Sequence, residues 1–296
     1  MGCRGIADRA GHVGGVLDRV PRGLSCRHPD IGPRLRLLGL PRLLTGTGHA
    51  RTLQYRKGWA LLAWLACEPG KPRRRAHAAT LLWPSLSPAA ALTNLRQVLA
   101  DLNRCVRSTV GDGVLHSDRD SLCWRGSSGP VSDIDHVLSC GRASAGLGDD
   151  GLLDMLASGP REGMELLAGL VLDGCEDFEY WLALTRERVA RGLATAMGCL
   201  RDRLSNDGRY DDAIAVGRRL VQMDACNEEH GRGLMRTLAM TGEYGFALAV
   251  FDDMAQALHS ELGVVPEPET LAMRAGIIAS RNACQLAMLD VAGTGI

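Results

Sequence analysis

PAAALTNLRQVLADLNRCVR, residues 88–107, is the stretch on which the fold turns. Leu92, Leu95, Leu99, Leu102 and Val106 recur at spacings of 3, 4, 3 and 4, the signature of a helix with one continuous apolar seam. Ser87 followed by Pro88 supplies an N-cap and a first-turn proline. Working back along the chain, Arg73 to Trp83 reads as a second helix, shorter and ended by Pro84. Arg56 to Glu68 reads as a first, with Trp59, Leu62, Ala63 and Ala66 on one side and Pro69-Gly70 as its stop. Before these, RLRLLGLPRLL (34–44) is a short strand pair or edge strand broken at Gly39 and Pro41. Working forward, VGDGVLHSDRDSLCW (110–124) gives two extended runs, 113–116 and 121–124, around the turn residues Ser117 to Asp120. Strand, three helices and a hairpin, in that order, make a winged helix-turn-helix.

Charge supports a role for this half. The 296 residues sum to zero formal charge, yet residues 1–127 carry 20 Lys and Arg against 8 Asp and Glu, and residues 128–296 carry 14 against 26. A basic surface releases counterions from a polyanion, so the first half is the one suited to nucleic acid. Apolar content of 46% suits a globular chain, and no apolar run approaches the roughly 18 residues that cross a bilayer. The expectation is a soluble, cytoplasmic protein without a membrane partner.

Ten cysteines invite a metal or disulfide reading, but no two lie within four residues of each other. Structural zinc sites use closely spaced pairs, so these are read as small, half-buried thiols in a reducing cytosol. Residues 1–30 hold arginines without an apolar core segment and are read as a disordered tail, not a secretory signal. Phosphate-loop, zinc-protease and dinucleotide fingerprints are lacking, and the eight histidines are scattered. The expectation is no enzyme, no cofactor and no metal.

Beyond residue 127 the β signal fades and helix follows helix. Asp177 to Ser205 is one long helical stretch, with Phe178, Trp181, Leu182, Val189, Leu193 and Leu200 as core positions, followed by segments 209–223, 227–241, 244–262 and 268–280. DGRYDDA (207–213) is answered by TGEYGFA (241–247), an offset of 34 residues. That is the tetratricopeptide length, in which Gly closes one helix and an aromatic and an Ala open the next. The fold class is therefore mainly α: an α+β winged helix followed by an all-α repeat domain. The boundaries read as tail 1–30, winged helix 31–127, repeat domain 128–282 and C-terminal tail 283–296.

Reading bases in the major groove needs an exposed helix face with Arg, Asn or Gln. Thr93, Gln97, Ala100 and Arg104 form such a stripe on the third helix, flanked by Asn94, Arg96 and Arg107. The base-contact candidates are Thr93, Asn94, Arg96, Gln97 and Arg104. Phosphate anchors come from the same domain: Arg56 and Lys57 at the start of the first helix, Arg73, Arg74 and Arg75 at the start of the second, and Arg119 at the hairpin tip.

LRLLG (35–39), RKGWALLAWLACEPG (56–70), LLWPSLSPAAALTNLRQVLADLNR (81–104) and SDRDSLCW (117–124) resemble the winged-helix domain of the Streptomyces antibiotic regulatory protein family, itself similar to OmpR-type effector domains. LLAGLVLDGCEDFEYWLALTRERV (166–189) and the repeats resemble the bacterial transcriptional activator domain that accompanies it. The resemblance implies an activator that binds promoter-proximal direct repeats on double-stranded DNA, with two copies side by side as a homodimer, and recruits RNA polymerase. It places Asn94, Arg96, Gln97 and Arg104 where the family reads DNA, and Trp83, Pro84, Ser85, Leu86 and Ser87 in the loop that faces polymerase. Asn103 stands where the family usually has Arg, and Ala225 where it usually has Pro. The competing expectation is a helical-repeat interaction module whose degenerate winged helix no longer binds DNA tightly.

Overall fold

The computed structural model describes residues 34–125, 132–139, 152–153, 156 and 164–293. The tail assigned to residues 1–30 lies outside the described residues. The chain divides into two compact units at Ala196/Met197. This division falls inside a long helix, whereas composition and charge suggest a boundary at 127/128.

The first unit opens on a three-stranded antiparallel sheet, β1 (Leu35–Arg36), β2 (Arg42–Leu44) and β3 (Ala50–Arg51), with Leu35 opposite Leu43. The break expected at Gly39 and Pro41 is the turn between β1 and β2. Three helices follow: α1 (Arg56–Ala66), α2 (Arg75–Leu82) and α3 (Pro88–Thr109). Ser87 caps α3, its hydroxyl accepting from the Ala90 N–H, and Pro88 is its first residue. The hairpin is β5 (Leu115–Ser117) and β6 (Ser121–Trp124), with His116 opposite Cys123.

The second helix departs from the sequence reading. Arg73 and Arg74 form a further strand, β4, paired with β6 through Leu122 and Ser121. The helix therefore begins at Arg75 and ends at Leu82. A partner some fifty residues away in sequence holds the two arginines extended, and local periodicity carries no trace of it.

The core of this unit is built from Leu35, Leu37 and Leu43, the inner faces of α1 to α3, and Trp124, all buried. In α3 the seam is Ala91, Leu95, Val98, Leu99, Leu102 and Val106; Leu92, expected in the seam, is half-buried at its edge. Burying each such aliphatic side chain contributes about 1.5–3 kcal/mol, which fixes the opposite face outward.

Residues beyond 127 also join this unit. Ser132 precedes α4 (Asp133–Ser139) and bridges Leu35, and Leu166 bridges Leu38 from the other direction. Leu167 N–H donates to the Leu37 carbonyl at 2.8 Å, and Gly39 N–H to the Glu165 carbonyl at 2.8 Å. Two β bridges thus stand where only helix is expected, because the edge of β1 offers unpaired backbone groups that the later segment satisfies. Leu167 is fully buried with φ of 52°, a left-handed conformation that costs a leucine about 1–2 kcal/mol and is held by these bonds.

The helix α5 (Glu176–Asn206) runs across the division between units. Phe178, Leu182, Val189, Leu193 and Leu200 are buried as the periodicity predicts, while Trp181 is half-buried with its ring 5.5 Å from that of Phe178. The second unit continues with α6 (Tyr210–Met223), α7 (Glu228–Met240), α8 (Tyr244–Ala257), a π-turn at Leu258–Leu262 and α9 (Pro268–Gly293). The last helix takes in most of the segment 283–296 that the sequence reading sets apart as a tail.

The 34-residue offset reappears as matched backbone geometry. Gly208 and Gly242 have φ of 75° and 79°, and the following residues, Arg209 and Glu243, donate to the carbonyls of Leu204 and Leu238 at 2.8 and 2.9 Å. Both are helix terminations of Schellman type, in which glycine takes the left-handed turn without a Cβ penalty. Ala213 and Ala247, also 34 apart, are both fully buried where the next helix starts.

Candidate nucleic-acid interface

The outward face of α3 carries the residues proposed to read bases. Thr93, Arg96, Gln97 and Arg104 are exposed, with Ala100 and Arg107 on the same face, while Asn94 is half-buried on its flank. Three of these side chains are already engaged with their own helix. Thr93 donates to the Ala89 carbonyl at 2.9 Å, and Arg96 reaches the Thr93 hydroxyl at 3.4 Å. The Arg104 guanidinium lies 2.6 Å from the Asp101 carboxylate yet is 74% exposed, so a base edge or phosphate can still reach it. Asp101 itself is buried, and its second oxygen accepts from the Gln54 backbone N–H at 2.8 Å, tying α3 to the approach of α1.

The nominated phosphate anchors fall into two groups. Arg56, Arg74 and Arg119 are exposed. Lys57, Arg73 and Arg75 have internal partners. Lys57 donates to the Leu82 carbonyl and lies over the Trp83 ring, 5.1 Å from its centroid. Arg73 pairs with Glu68 at 2.6 Å and lies 4.7 Å from the Trp64 ring centroid. The Arg75 guanidinium donates to the Asp118 carbonyl at 2.8 Å and to the Ser117 hydroxyl at 3.3 Å. These three brace the winged helix: a cation over an aromatic face contributes about 0.5–2 kcal/mol according to its desolvation.

The hairpin turn that displays Arg119 is organised by Asp118. Its carboxylate accepts from the N–H of Asp120 at 2.8 Å, the N–H of Ser121 at 2.6 Å and the Ser121 hydroxyl at 2.8 Å. These bonds, the Ser121 hydroxyl foremost, hold the carboxyl down at about 2. In the loop between α2 and α3, Trp83 is buried beneath Lys57, whereas Pro84, Ser85, Leu86 and Ser87 are exposed. Of the five residues that the family resemblance assigns to this loop, only the last four are exposed.

Sequence reasoning missed a further set of residues beside this face. A concavity of about 550 Å³ is lined by Arg56, Lys57, Asn94 and Gln97 together with Val171 and Asp173. Nothing in the spacing of residues 171–173 signals this placement. Seven described cysteines are free thiols, and among the described residues no group of three His, Cys, Asp or Glu is arranged to hold a metal.

Residues 140–278 match the family described as the bacterial transcriptional activator domain. Its fold is similar to that of Mycobacterium tuberculosis EmbR, solved in complex with a low affinity phosphopeptide, with a TM-score of 0.57 at 19% identity over 87% of this chain and 71% of that one. At that identity the likeness speaks to the fold, mainly helical with a small N-terminal β region. No curated protein matches the sequence. Among the described residues no helix is long and apolar enough to cross a membrane.

Proposed function

We propose that the protein is a sequence-specific DNA-binding transcriptional activator, with a winged helix at residues 31–127 and an activator domain at 128–282. The observation that carries this reading is the two-sided character of α3. One face is a buried aliphatic seam, and the other presents Thr93, Gln97, Arg104 and Arg107 outward from the basic half of the chain. In this reading α3 enters the major groove, where Gln97, Asn94, Arg96 and Arg104 contact base edges. Arg56, Arg74 and Arg119 hold the phosphates. The exposed loop 84–87 faces RNA polymerase, and two copies sit side by side on direct repeats.

One observation favours a second reading, an interaction module with a weakened winged helix: Lys57, Arg73 and Arg75 are engaged within the fold. A mobility-shift series over increasing salt, with the full chain and fragments from its own genomic neighbourhood, separates the two. Salt-dependent retention of one fragment over the others supports the activator. Indifference to duplex at every salt concentration rejects it in favour of the module.

A further inference from the structure

The concavity lined by Arg56, Lys57, Asn94 and Gln97 is also lined by Val171, Leu172 and Asp173, in the segment leading into α5. This segment is fixed from both ends. Leu172 is buried and its N–H donates to the Glu179 carboxylate at 2.7 Å. Cys175 is buried and its thiol reaches the Leu82 carbonyl, at the end of α2, at 3.3 Å. Next in line, Phe178 is fully buried. Val171, just before the first anchor, and Asp173, between the first two, are exposed and line the concavity. A carboxylate thus lines the same concavity as two cations at the start of α1 and two amides on the flank of α3. The Asp173 side chain has no hydrogen bond or ion pair among the described residues.

We propose that the DNA-reading face is composite, with the 171–173 segment as its second wall and Asp173 as a fixed negative charge that lowers affinity for duplex. The inference rests on the DNA-binding reading above. A phosphate strand that approaches Arg56 along α3 must pass the Asp173 carboxylate, and like charges across an interface oppose association. Because the backbone is anchored at Leu172 and Cys175, the Asp173 Cα stays at this rim and only its side chain can rotate. The activator domain therefore tunes the winged helix directly, by position and charge.

The test is duplex binding by the full chain, followed by fluorescence anisotropy with a mixed-sequence duplex and with any fragment retained in the mobility shift. Asp173→Asn is expected to bind about threefold more tightly at low salt, an advantage that shrinks as screening grows. Asp173→Lys is expected to bind more tightly still and to steepen the salt dependence by about one phosphate contact. Asp211→Asn, an exposed carboxylate on α6, makes the same change in net charge and is expected to leave affinity unchanged. If Asp173→Asn matches the wild type or the Asp211 variant, or binds more weakly, the composite face is wrong while the DNA-binding reading stands. If neither the wild type nor any Asp173 variant binds duplex, the DNA-binding reading falls and this inference with it.

Discussion

The Asp133 carboxylate closes on the backbone N–H of Leu37 with both oxygens, at 2.9 and 3.0 Å, and one of those oxygens also accepts from Leu38 at 3.0 Å. All three residues are buried, and Asp133 lies 95 or more positions along the sequence from the two leucines. The carboxylate does for the end of β1 what a neighbouring strand would do, satisfying donors that otherwise lose their water. It also joins the winged helix to the segment that follows it, beside the Leu38 and Leu166 bridge.

Burial raises the Asp133 carboxyl to about 6, against the lowering effect of the Leu38 and Leu37 N–H bonds. A folded value above the unfolded one favours the fold in acid: the contribution is complete below about 3.8 and is lost as pH rises through about 6. All five tryptophans lie in residues 24–196, four of them before α5, so tryptophan fluorescence reports on the unfolding of this unit. Denaturant midpoints between pH 4 and 7 are expected to carry a declining component that Asp133→Asn abolishes. The variant itself is expected to be less stable by about 1–3 kcal/mol, since an amide leaves backbone donors unsatisfied. A pH profile unchanged in Asp133→Asn would contradict the assignment.

Base reading and phosphate anchoring separate most cleanly in Gln97 and Arg56. Gln97→Ala is expected to flatten preference at one base step by about 1–3 kcal/mol, while Arg56→Ala weakens every sequence alike and lowers the salt slope by about 1. Lys57→Ala is a poorer probe, because it also removes the bond to Leu82 and the cover over Trp83. Competition binding over a panel of single-base variants measures both effects. Identical profiles for the Gln97 and Arg56 variants would show that α3 does not read bases as described.

Neighbouring arginines should behave differently. Arg73→Ala removes the Glu68 pair and the contact with Trp64, and is expected to lower the stability of residues 24–196 by about 1–2 kcal/mol. Arg74→Ala, exposed on the same strand, is expected to leave the fluorescence midpoint in place and weaken duplex binding. Reversal of the two phenotypes would overturn the division into bracing and anchoring cations.

In the second unit, Gly233 lies against the buried Arg201 guanidinium, and a Cβ there would fall within the space that the guanidinium occupies. Arg201 is paired with Asp202 at 2.8 Å, so moving it costs both packing and a charge contact. Gly233→Ala is expected to destabilise helices α6 to α8 by about 1–3 kcal/mol. Gly231→Ala meets only the flexible Met254 side chain and should cost less. Hydrogen exchange across residues 210–257 reports the difference. Equal protection in the two variants would mean that Arg201 relaxes freely.

What the sequence determined by itself is the order of elements and the register of the repeats. The seam of α3, the strand pair around Gly39 and Pro41, the 117–120 turn and the 34-residue offset rest on near neighbours: a 3.6-residue period, turn chemistry and a glycine that tolerates positive φ. Tertiary structure decided which charges face outward and which segments touch. Arg73 and Arg74 became a strand because β6 lies beside them, and Asp101 and Asp133 became buried clamps because distant N–H groups needed acceptors. Asp173 came to the flank of α3 through anchors at Leu82 and Glu179. None of these pairings leaves a mark in local spacing, because the partners are set by which surfaces remain unsatisfied once the elements have packed.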